Sequence, residues 1–390
     1  MKIERIFFLA MILYLFFSFI SISAAQIFLA LSLILFLYLH IKDKKLPEVP
    51  GFFWPLLVYC ALSLLASAFS RSPETSFHDS RELLLYLVVP MAYFAFKKES
   101  DIRLALKVFL ASALISIAYS AVYFFFKASP GERIAGFMGH YMTQAGLLLL
   151  FCTMAMSFFL FFKTKEKFIW AGAFILAFLA LLLTLTRNAW IGIVVAAAVL
   201  LAIYRPKALI ALPVIIFLLY LAGPPAVKQR TLSIFSTKDV SNLTRLEYLE
   251  TGWKIIKEYP LLGTGPNTVD EVFKNPKYGL SEEARQNVHL HNNVIQIAAE
   301  RGIPAICAWL CFVGWMGFSL LKLLRRRKDP LALSLTAGAL ACLLAFFSAG
   351  MFEYNFGDSE IVTLFLFLTT LPFLPFLAKE KEPSIPTAIK

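Results

Sequence analysis

The segment QNVHLHNNVIQIAAERGIP, residues 286–304, gathers two histidines, three asparagines and an arginine directly before a long apolar stretch. If the segment is helical, His289 shares its polar face, which also holds Asn292, Asn293, Gln296 and Glu300. His291 would then lie on the opposite, aliphatic face. An imidazole in such surroundings, beside a helix bundle, is a candidate proton acceptor near neutral pH. The alternative is that His291 precedes the helix and only satisfies a backbone group.

Several arginines on the same predicted side of the molecule could bind an anion. Arg187 lies in LTLTRNAWIG, at a hairpin between two apolar stretches, with no acidic residue near it in the sequence. Its guanidinium is a planar, permanently charged fork that suits phosphate, although an arginine beside a membrane can also extend its head to water. Arg245 lies early in a predicted loop helix, where a solvated arginine with a local ion pair to Glu247 or Glu250 is the alternative. Arg133 and His140 could face the same site.

The sequence lacks the patterns of other common chemistries. It has no glycine-rich phosphate loop, no zinc-ligand spacing, no serine nucleophile elbow and no aspartate-rich magnesium cluster. We therefore predict a site that uses neither metal nor cofactor. The five cysteines all lie inside apolar runs, and we interpret them as small core residues rather than as a disulfide framework.

Membrane helices must position these residues. The chain has 390 residues, of which 59% are hydrophobic and 16% charged. Apolar stretches of about 18 or more residues recur along it, as expected of membrane spans. Only helices and closed barrels satisfy the backbone in lipid, and these runs are too long for barrel strands. The composition therefore predicts an all-α polytopic membrane protein.

We predict about twelve spans, each near the length that crosses a bilayer. Their approximate limits are 6–22, 24–40, 52–69, 83–96, 103–126, 141–162, 168–186, 189–204, 207–223, 303–321, 331–351 and 360–378. The first resembles a signal peptide, but its apolar stretch is longer than usual, which favours an uncleaved span. Lysine and arginine concentrate in alternate loops, as in the run Arg325–Lys328. By the positive-inside rule both termini are then cytoplasmic, and the net charge of +12 is mainly a topology signal.

One outer segment, residues 224–302, is long and mostly polar. Loops of this length usually have a function. In it Leu243, Leu246, Leu249, Trp253 and Ile256 recur at helical spacing, which predicts an amphipathic helix with Ser241 or Asn242 as its cap. The turn PLLGTGP ends that helix. We thus divide the chain into helices 1–9 (1–223), a loop domain (224–302), helices 10–12 (303–379) and a tail (380–390).

Three motifs in this order resemble the O-antigen ligase and polymerase superfamily of membrane glycosyltransferases. They are TRNAWIG around Arg187, an arginine-led helix that runs into YPLLGTGPNT, and HNNVIQIAAERGIP. The resemblance covers about residues 180–310, and the layout of spans extends it over the chain. It is closest to the ligases. It implies a fold similar to the C-type membrane glycosyltransferases, with a periplasmic loop between helices 9 and 10.

The resemblance also implies a reaction. Members transfer a glycan from undecaprenyl diphosphate at the periplasmic face of the bacterial inner membrane, without a metal and with inversion. Ligases pass the glycan to lipid A–core, which is the acceptor that we favour here. The family's catalytic histidine matches His291, and its two essential arginines match Arg187 and Arg245. Nothing implies nucleic acid as a partner. Asn292, Arg133, His140 and His289 are predicted to support the site.

Two other functions stay open from the sequence. The same donor chemistry fits a polymerase of polysaccharide repeats or a protein O-glycosyltransferase, because no residue reveals the acceptor. A transporter of lipid-linked glycans is the alternative of another class. Ion-coupled transporters usually carry ionisable residues in the middle of their spans and often contain internal repeats, and neither is evident here.

Overall fold

The computed structural model describes residues 2–44, 46–129 and 131–378, which contain helices and connecting loops but no strand. The predicted tail, 380–390, lies outside these residues. The α-helices are α1 Lys2–Phe17, α2 Ile22–Asp43, α3 Phe53–Ala68, α4 Pro73–Ser80, α5 Val88–Ala95, α6 Glu99–Phe126, α7 Tyr141–Phe161, α8 Lys167–Leu183, α9 Arg187–Tyr204, α10 Ala211–Ala222, α11 Pro225–Leu232, α12 Val240–Glu258, α13 Val269–Phe273, α14 Glu282–Arg285, α15 Asn293–Leu324, α16 Pro330–Ala349, α17 Ser359–Thr370 and α18 Pro375–Ala378.

Seven of the described helical segments are long and apolar enough to cross a membrane. They are α2, α6, α7, α9, α15, α16 and the segment Ser359–Leu377. Three shorter apolar helices, Phe53–Ala68, Lys167–Leu183 and Pro206–Ala222, fall in other predicted spans. The chain is therefore a helical membrane protein with several spans, and a total of twelve stays a prediction.

The fourth predicted span, 83–96, is not one α-helix, contrary to our expectation. A 3₁₀ segment, Arg81–Leu87, precedes the eight-residue helix α5. Pro90 has no N–H to donate to the carbonyl of residue 86, which disfavours a continuous α-helix here. Val88, Val89 and Pro90 are buried by other helices, and irregular backbone at membrane depth is tolerated where protein surrounds it.

The centre of the bundle is α16, which packs against α7, α9, α15 and α17. Its sequence, PLALSLTAGALACLLAFFSA, is rich in small residues. Gly338 of α16 faces Met154 of α7 so closely that a Cβ atom would collide with its sulfur. Small residues allow such close approach, which is a main source of helix association in lipid.

The cysteines are only partly core residues. Cys152 and Cys342 are buried, as predicted, but Cys307 and Cys311 are exposed. Both lie on the outward face of α15, so our interpretation was wrong for these two residues.

The predicted amphipathic helix forms as α12, and most of its apolar stripe is exposed. Leu243, Leu246, Leu249 and Trp253 are exposed, and α12 packs on α15 through its other face, which carries Tyr248, Gly252 and Ile255. Gly252 approaches Ile295 too closely for any side chain, which explains why this face is inward. The cap was predicted wrongly, because Asp239, not Ser241 or Asn242, accepts the hydrogen bond at the helix start.

A turn after α12 attaches this helix to a break in α15. The break lies at Gly302, whose φ of 80° is in the left-handed region that favours glycine. Thr264 and Gly265 of the turn donate to the carbonyls of Ala299 and Glu300, at 2.9 Å each, and Ile303 donates to Pro260 at 2.8 Å. The motifs PLLGTG and ERG therefore form one backbone-paired junction that fixes the loop region on α15.

Candidate active site

Four arginines and a histidine from distant parts of the sequence line one cavity of about 470 Å³. We call it the arginine chamber, and its basic residues are Arg133, Arg187, Arg230, Arg245 and His291. They come from the loop before α7, the start of α9, α11, α12 and the loop before α15. The structure thus brings together four residues singled out from the sequence, and their roles stay predictions.

Arg187 is the most firmly held of the four arginines. Its side chain is only 7% exposed, and Nη1 donates to the carbonyl and hydroxyl oxygens of Ser233, both at 3.0 Å. Nη2 forms an ion pair with Asp239 at 3.0 Å. The lack of an acidic neighbour in the sequence was therefore misleading, since the partner lies 52 residues away. Asp239 also caps α12, so that one carboxylate fixes both the arginine and the loop helix.

Arg245 connects α12 to the loop between α16 and α17. Its Nε donates to the carbonyl of Phe352 at 3.1 Å, and Nη1 donates to Ser241 Oγ at 2.6 Å. The local ion pair with Glu247 does not form, because that carboxylate instead accepts from the backbone and hydroxyl of Ser281, both at 2.9 Å. No described residue accepts from Nη2 of Arg245, which leaves it available to a ligand.

Arg133 stabilises the hairpin that carries Arg187. It donates to the carbonyls of Thr184 and Leu185, at 3.2 and 3.1 Å, and its guanidinium stacks 3.4 Å from the ring centre of Tyr141. These carbonyls lie at the end of α8, where a helix has no internal donors left for them. Much of the hydrogen-bonding capacity of Arg133 is thus used structurally.

Arg230 is a cation that our sequence reasoning missed. Its only hydrogen bond with the described residues runs from Nε to the carbonyl of Leu185, at 3.3 Å. Both Nη groups therefore remain available at a wall of the chamber. The sequence signal was its position after a predicted span. The basic segment KQR comes shortly after the ninth predicted span, and Arg187 directly follows the seventh.

The arginines also repel one another. Burial lowers the pKa of Arg133 to about 10, and the charges of Arg230, Arg187 and Arg245 contribute to the decrease. The pKa values of Arg230 and Arg245 are lowered by burial and, in both cases, by the charge of Arg187. With a pKa of about 10, Arg133 still carries its charge near neutral pH. Because like charges are held together at a partly buried site, the chamber is suited to an anion with several negative charges.

His291 is paired with a carboxylate that we did not predict. Its Nδ1 lies 2.9 and 3.0 Å from the two carboxylate oxygens of Glu353, and its Nε2 lies 3.4 Å from Asn287 Oδ1. Burial raises the pKa of Glu353, but the hydrogen bond and charge of His291, a backbone donor and Arg245 outweigh it, and the net pKa is lowered. Glu353 is thus ionised and accepts a hydrogen bond from the Nδ1–H of His291, and in this tautomer Nε2 is the basic nitrogen.

The helical wheel placed His291 incorrectly. α15 begins only at Asn293, so His289 and His291 both precede it, and neither lies on a helix face. His291 has a φ of 47°, an uncommon left-handed conformation for a residue other than glycine. Such strain persists only where the surroundings impose it, and it is frequent at functional sites.

The asparagines after His291 impose this conformation. Asn292 caps α15 through Oδ1, and its Nδ2 donates to the carbonyl of Met351 at 2.9 Å. Asn293 pairs with Asn355 at 2.6 Å, and Gln296 accepts from the backbone of Leu290 at 2.7 Å. Asn292 therefore supports the site by joining the histidine loop to the loop that carries Glu353, and it does not line the cavity.

His140 and His289 lie in a different cavity, of about 240 Å³, which adjoins the first. The two cavities share Met142, Thr186 and Asn188. The charged residues of the second cavity are Glu353 and Asp358, and we call it the acidic chamber. Both carboxylates come from MFEYNFGD, the short polar loop between α16 and α17. The sequence signal for this loop was the presence of polar residues between two predicted spans, but our predictions concentrated on arginine and histidine.

The described residues contain no group of three or more His, Cys, Asp and Glu side chains arranged to hold a metal ion. That finding concerns the donor set only, and a metal-independent reaction stays a prediction.

Most residues that line the arginine chamber belong to a segment that is similar to a known protein family. Residues 172–310 match the family model described as O-antigen ligase. This part of the chain is therefore similar to the O-antigen ligase family. The matched segment contains Arg187, Arg230, Arg245 and His291, and it confirms the resemblance recognised from the motifs. The similarity supports a membrane glycosyltransferase of the ligase or polymerase type. No curated protein matches the sequence significantly.

Proposed function

We propose that this protein transfers a glycan from undecaprenyl diphosphate to a sugar hydroxyl of lipid A–core. The observation that carries the proposal is the arginine chamber, in which four arginines adjoin a histidine–carboxylate pair. The family match supports the reaction class. Transfer occurs at the periplasmic face of the inner membrane and inverts the anomeric centre.

An apolar groove beside the chamber fits the lipid part of this donor. The groove has a volume of about 270 Å³, and α8, α9, α10 and α11 form its walls. At one end it reaches Thr231, which directly follows Arg230, and Ile234, which directly follows the Arg187 partner Ser233. Aliphatic side chains such as Ile216 and Leu219 line the rest. A prenyl chain in this groove would bring its diphosphate to the arginines.

The arginines act on the leaving group. Its negative charge grows as the glycosidic C–O bond breaks, and fixed cations in a site sheltered from water stabilise such a transition state strongly. Arg230 and Arg245 offer uncommitted Nη groups, and Arg187 is held rigidly by Asp239 and Ser233. We assign these three arginines to the diphosphate and give Arg133 the task of holding the hairpin.

His291 is the proposed general base. The acceptor oxygen attacks the anomeric carbon, its proton passes to Nε2 of His291, and undecaprenyl diphosphate leaves with the electron pair of the broken bond. Glu353 holds the imidazole in the tautomer with a free Nε2 and stabilises the imidazolium that forms. General base catalysis of this kind typically contributes about 10²–10⁴-fold to the rate.

The proposed topology agrees with this assignment. The chamber collects residues from the loops before α7 and α9, from the 224–302 segment and, through Glu353, from the loop before α17. All four were predicted on the outer side by the charge pattern. We therefore propose that residues 224–302 form a periplasmic loop domain and that both termini are cytoplasmic.

The proposal is tested with purified protein in liposomes that contain undecaprenyl-diphosphate glycan, with and without lipid A–core. We expect glycan on lipid A–core with the wild type and none with His291→Ala, which should insert into the membrane normally. Longer lipid-linked glycans in the absence of lipid A–core would instead indicate a polymerase. Near-normal transfer by His291→Ala would remove His291 as the base.

A second variant tests the role of Glu353. Glu353→Gln keeps the shape of the side chain but removes the charge that stabilises the imidazolium, so we expect kcat to fall by about 10²-fold or more, as for other histidine–carboxylate pairs. The KM for the donor should change little, because the diphosphate contacts are intact. Steady-state kinetics in proteoliposomes measure both values, and an unchanged kcat would contradict the assignment.

A further inference from the structure

The acidic chamber has a charge opposite to that of its neighbour. Its charged lining residues among the described part of the chain are Glu353 and Asp358, without any lysine or arginine. Burial, with a smaller contribution from Glu360, raises the pKa of Asp358 to about 7, so that it is ionised at pH 8. Burial lowers the pKa of His289, which keeps this imidazole neutral. The acidic chamber therefore presents negative charge next to the arginine chamber, whose lining carries four arginines and two carboxylates, those of Asp239 and Glu283.

Unpaired polar groups line this chamber. The imidazoles of His140 and His289 and the Nδ2 group of Asn188 make no hydrogen bond to other described residues, although all three line the cavity. The ring of Tyr354 packs against His289, with ring centres 5.5 Å apart, and offers an aromatic surface. Donors, acceptors and an aromatic plane around a small cavity suit a ligand with several hydroxyl groups.

The position of the histidine pair links the two chambers. His291 lines the arginine chamber, whereas its partner Glu353 lines the acidic chamber. The proton acceptor is therefore at the boundary between them. In a transfer reaction this is where the acceptor hydroxyl must meet the anomeric carbon of the donor.

We propose that the acidic chamber is the acceptor subsite and that it takes a sugar that is uncharged or carries an amine. This inference rests on the proposed glycan transfer. A phosphate or carboxylate on the acceptor sugar would lie close to Glu353 and Asp358 in a partly desolvated space, where repulsion between like charges is strong. The same charges would keep the donor diphosphate out of this chamber, so that each substrate is directed to its own side.

The experiment uses three glycolipids with one diacylglycerol anchor and a single terminal sugar: glucose, glucosamine or glucuronic acid. Each is placed at pH 8 in proteoliposomes with full-length protein and undecaprenyl-diphosphate glycan. We expect kcat/KM for the glucuronosyl lipid to be at least about tenfold below that for the glucosyl lipid, which corresponds to about 1.4 kcal/mol. Equal use of the two lipids would overturn the inference.

Two variants test which carboxylate causes the difference in kcat/KM between the glucosyl and glucuronosyl lipids. Asp358→Asn removes the charge but keeps a side chain that can cap α17, so it should narrow the difference between the two lipids to about threefold or less. Glu360→Gln is the matched control, because this carboxylate lies two residues away and outside the cavity, and the difference should persist. An unchanged ratio in Asp358→Asn would show that the acidic chamber does not contact the acceptor.

A binding measurement separates this inference from the proposed function. Saturation-transfer NMR with methyl glucoside and methyl glucuronide requires no reaction, and we expect only the glucoside to bind. If no acceptor is glycosylated and no undecaprenyl diphosphate is released, the transfer reaction is wrong. If transfer is observed but both methyl glycosides bind equally, the reaction stands and the charge selectivity is wrong.

Discussion

Two of the sites that bury arginine among the described residues balance its charge differently. Arg301, inside α15, is 6% exposed and contacts two carboxylates: Glu300 at 2.6 Å and Asp79 at 3.2 Å. The hydroxyl of Tyr354 is a further partner at 3.3 Å. In the arginine chamber, by contrast, four arginines have one ion pair among the described residues, that of Arg187 with Asp239.

The difference separates a structural role from a binding role. A buried charge paired with two carboxylates holds helices in place but has little capacity left for a ligand. A group of cations with few partners repels itself, and it is stabilised when an anion arrives. We therefore propose that the first site matters for folding and the second for donor binding and catalysis.

The sharpest test of the structural site is Arg301→Gln. It leaves the buried Glu300 and the partly buried Asp79 without their cation, and removing one partner of a buried ion pair costs about 3–5 kcal/mol. We expect a large loss of folded protein in detergent, measured by size-exclusion chromatography after heating. Arg325→Gln, at an exposed position near the end of the same helix, is the control and should be stable. If Arg301→Gln were as stable as the wild type, the two arginine sites could not be distinguished by their roles.

Arg187→Lys tests the binding site, with a smaller effect on folding. Lysine keeps the positive charge near Asp239, but it cannot form the two-sided contact of a guanidinium. We expect kcat/KM to fall by about 10²–10³-fold, as when one preorganised donor is removed from a transition-state site. The melting temperature should change little. Full activity of this variant would mean that Arg187 only anchors the hairpin and the loop helix.

Some residues of the arginine chamber could be predicted from the sequence, and their carboxylate partners could not. Arg187 and His291 stood out because each is a polar residue next to a long apolar stretch, and Arg245 because it lies early in the predicted loop helix. The order of the motifs resembled one family. Asp239 and Glu353 could not be assigned, because their partners lie 52 and 62 residues away. Contacts at such separation depend on how the helices pack, which periodicity does not reveal.

Periodicity was wrong where it extended α15 back over His289 and His291, which lie in a loop. On α12 it revealed the apolar stripe, which is mostly exposed, but not the face that packs. In a membrane protein apolar side chains can face lipid as well as the core, so an apolar stripe does not identify the packed face. On α12 the packed face is instead the one where Gly252 allows close contact with Ile295.

Arg230→Gln should have the smallest effect of the three arginine variants, and it tests whether a residue without ion pairs contributes to donor binding. Its two Nη groups form no hydrogen bond with other described residues, so the stability of the fold should be unaffected. We expect the KM for undecaprenyl-diphosphate glycan to rise about tenfold with a smaller change in kcat, as for an interaction made equally with substrate and transition state. Lys228→Gln, on the same helix but outside the chamber, is the matched control and should keep the wild-type KM. If both variants behave alike, the chamber attracts the donor by general charge rather than through a placed guanidinium, and the contrast with Arg301 would then be one of net charge alone.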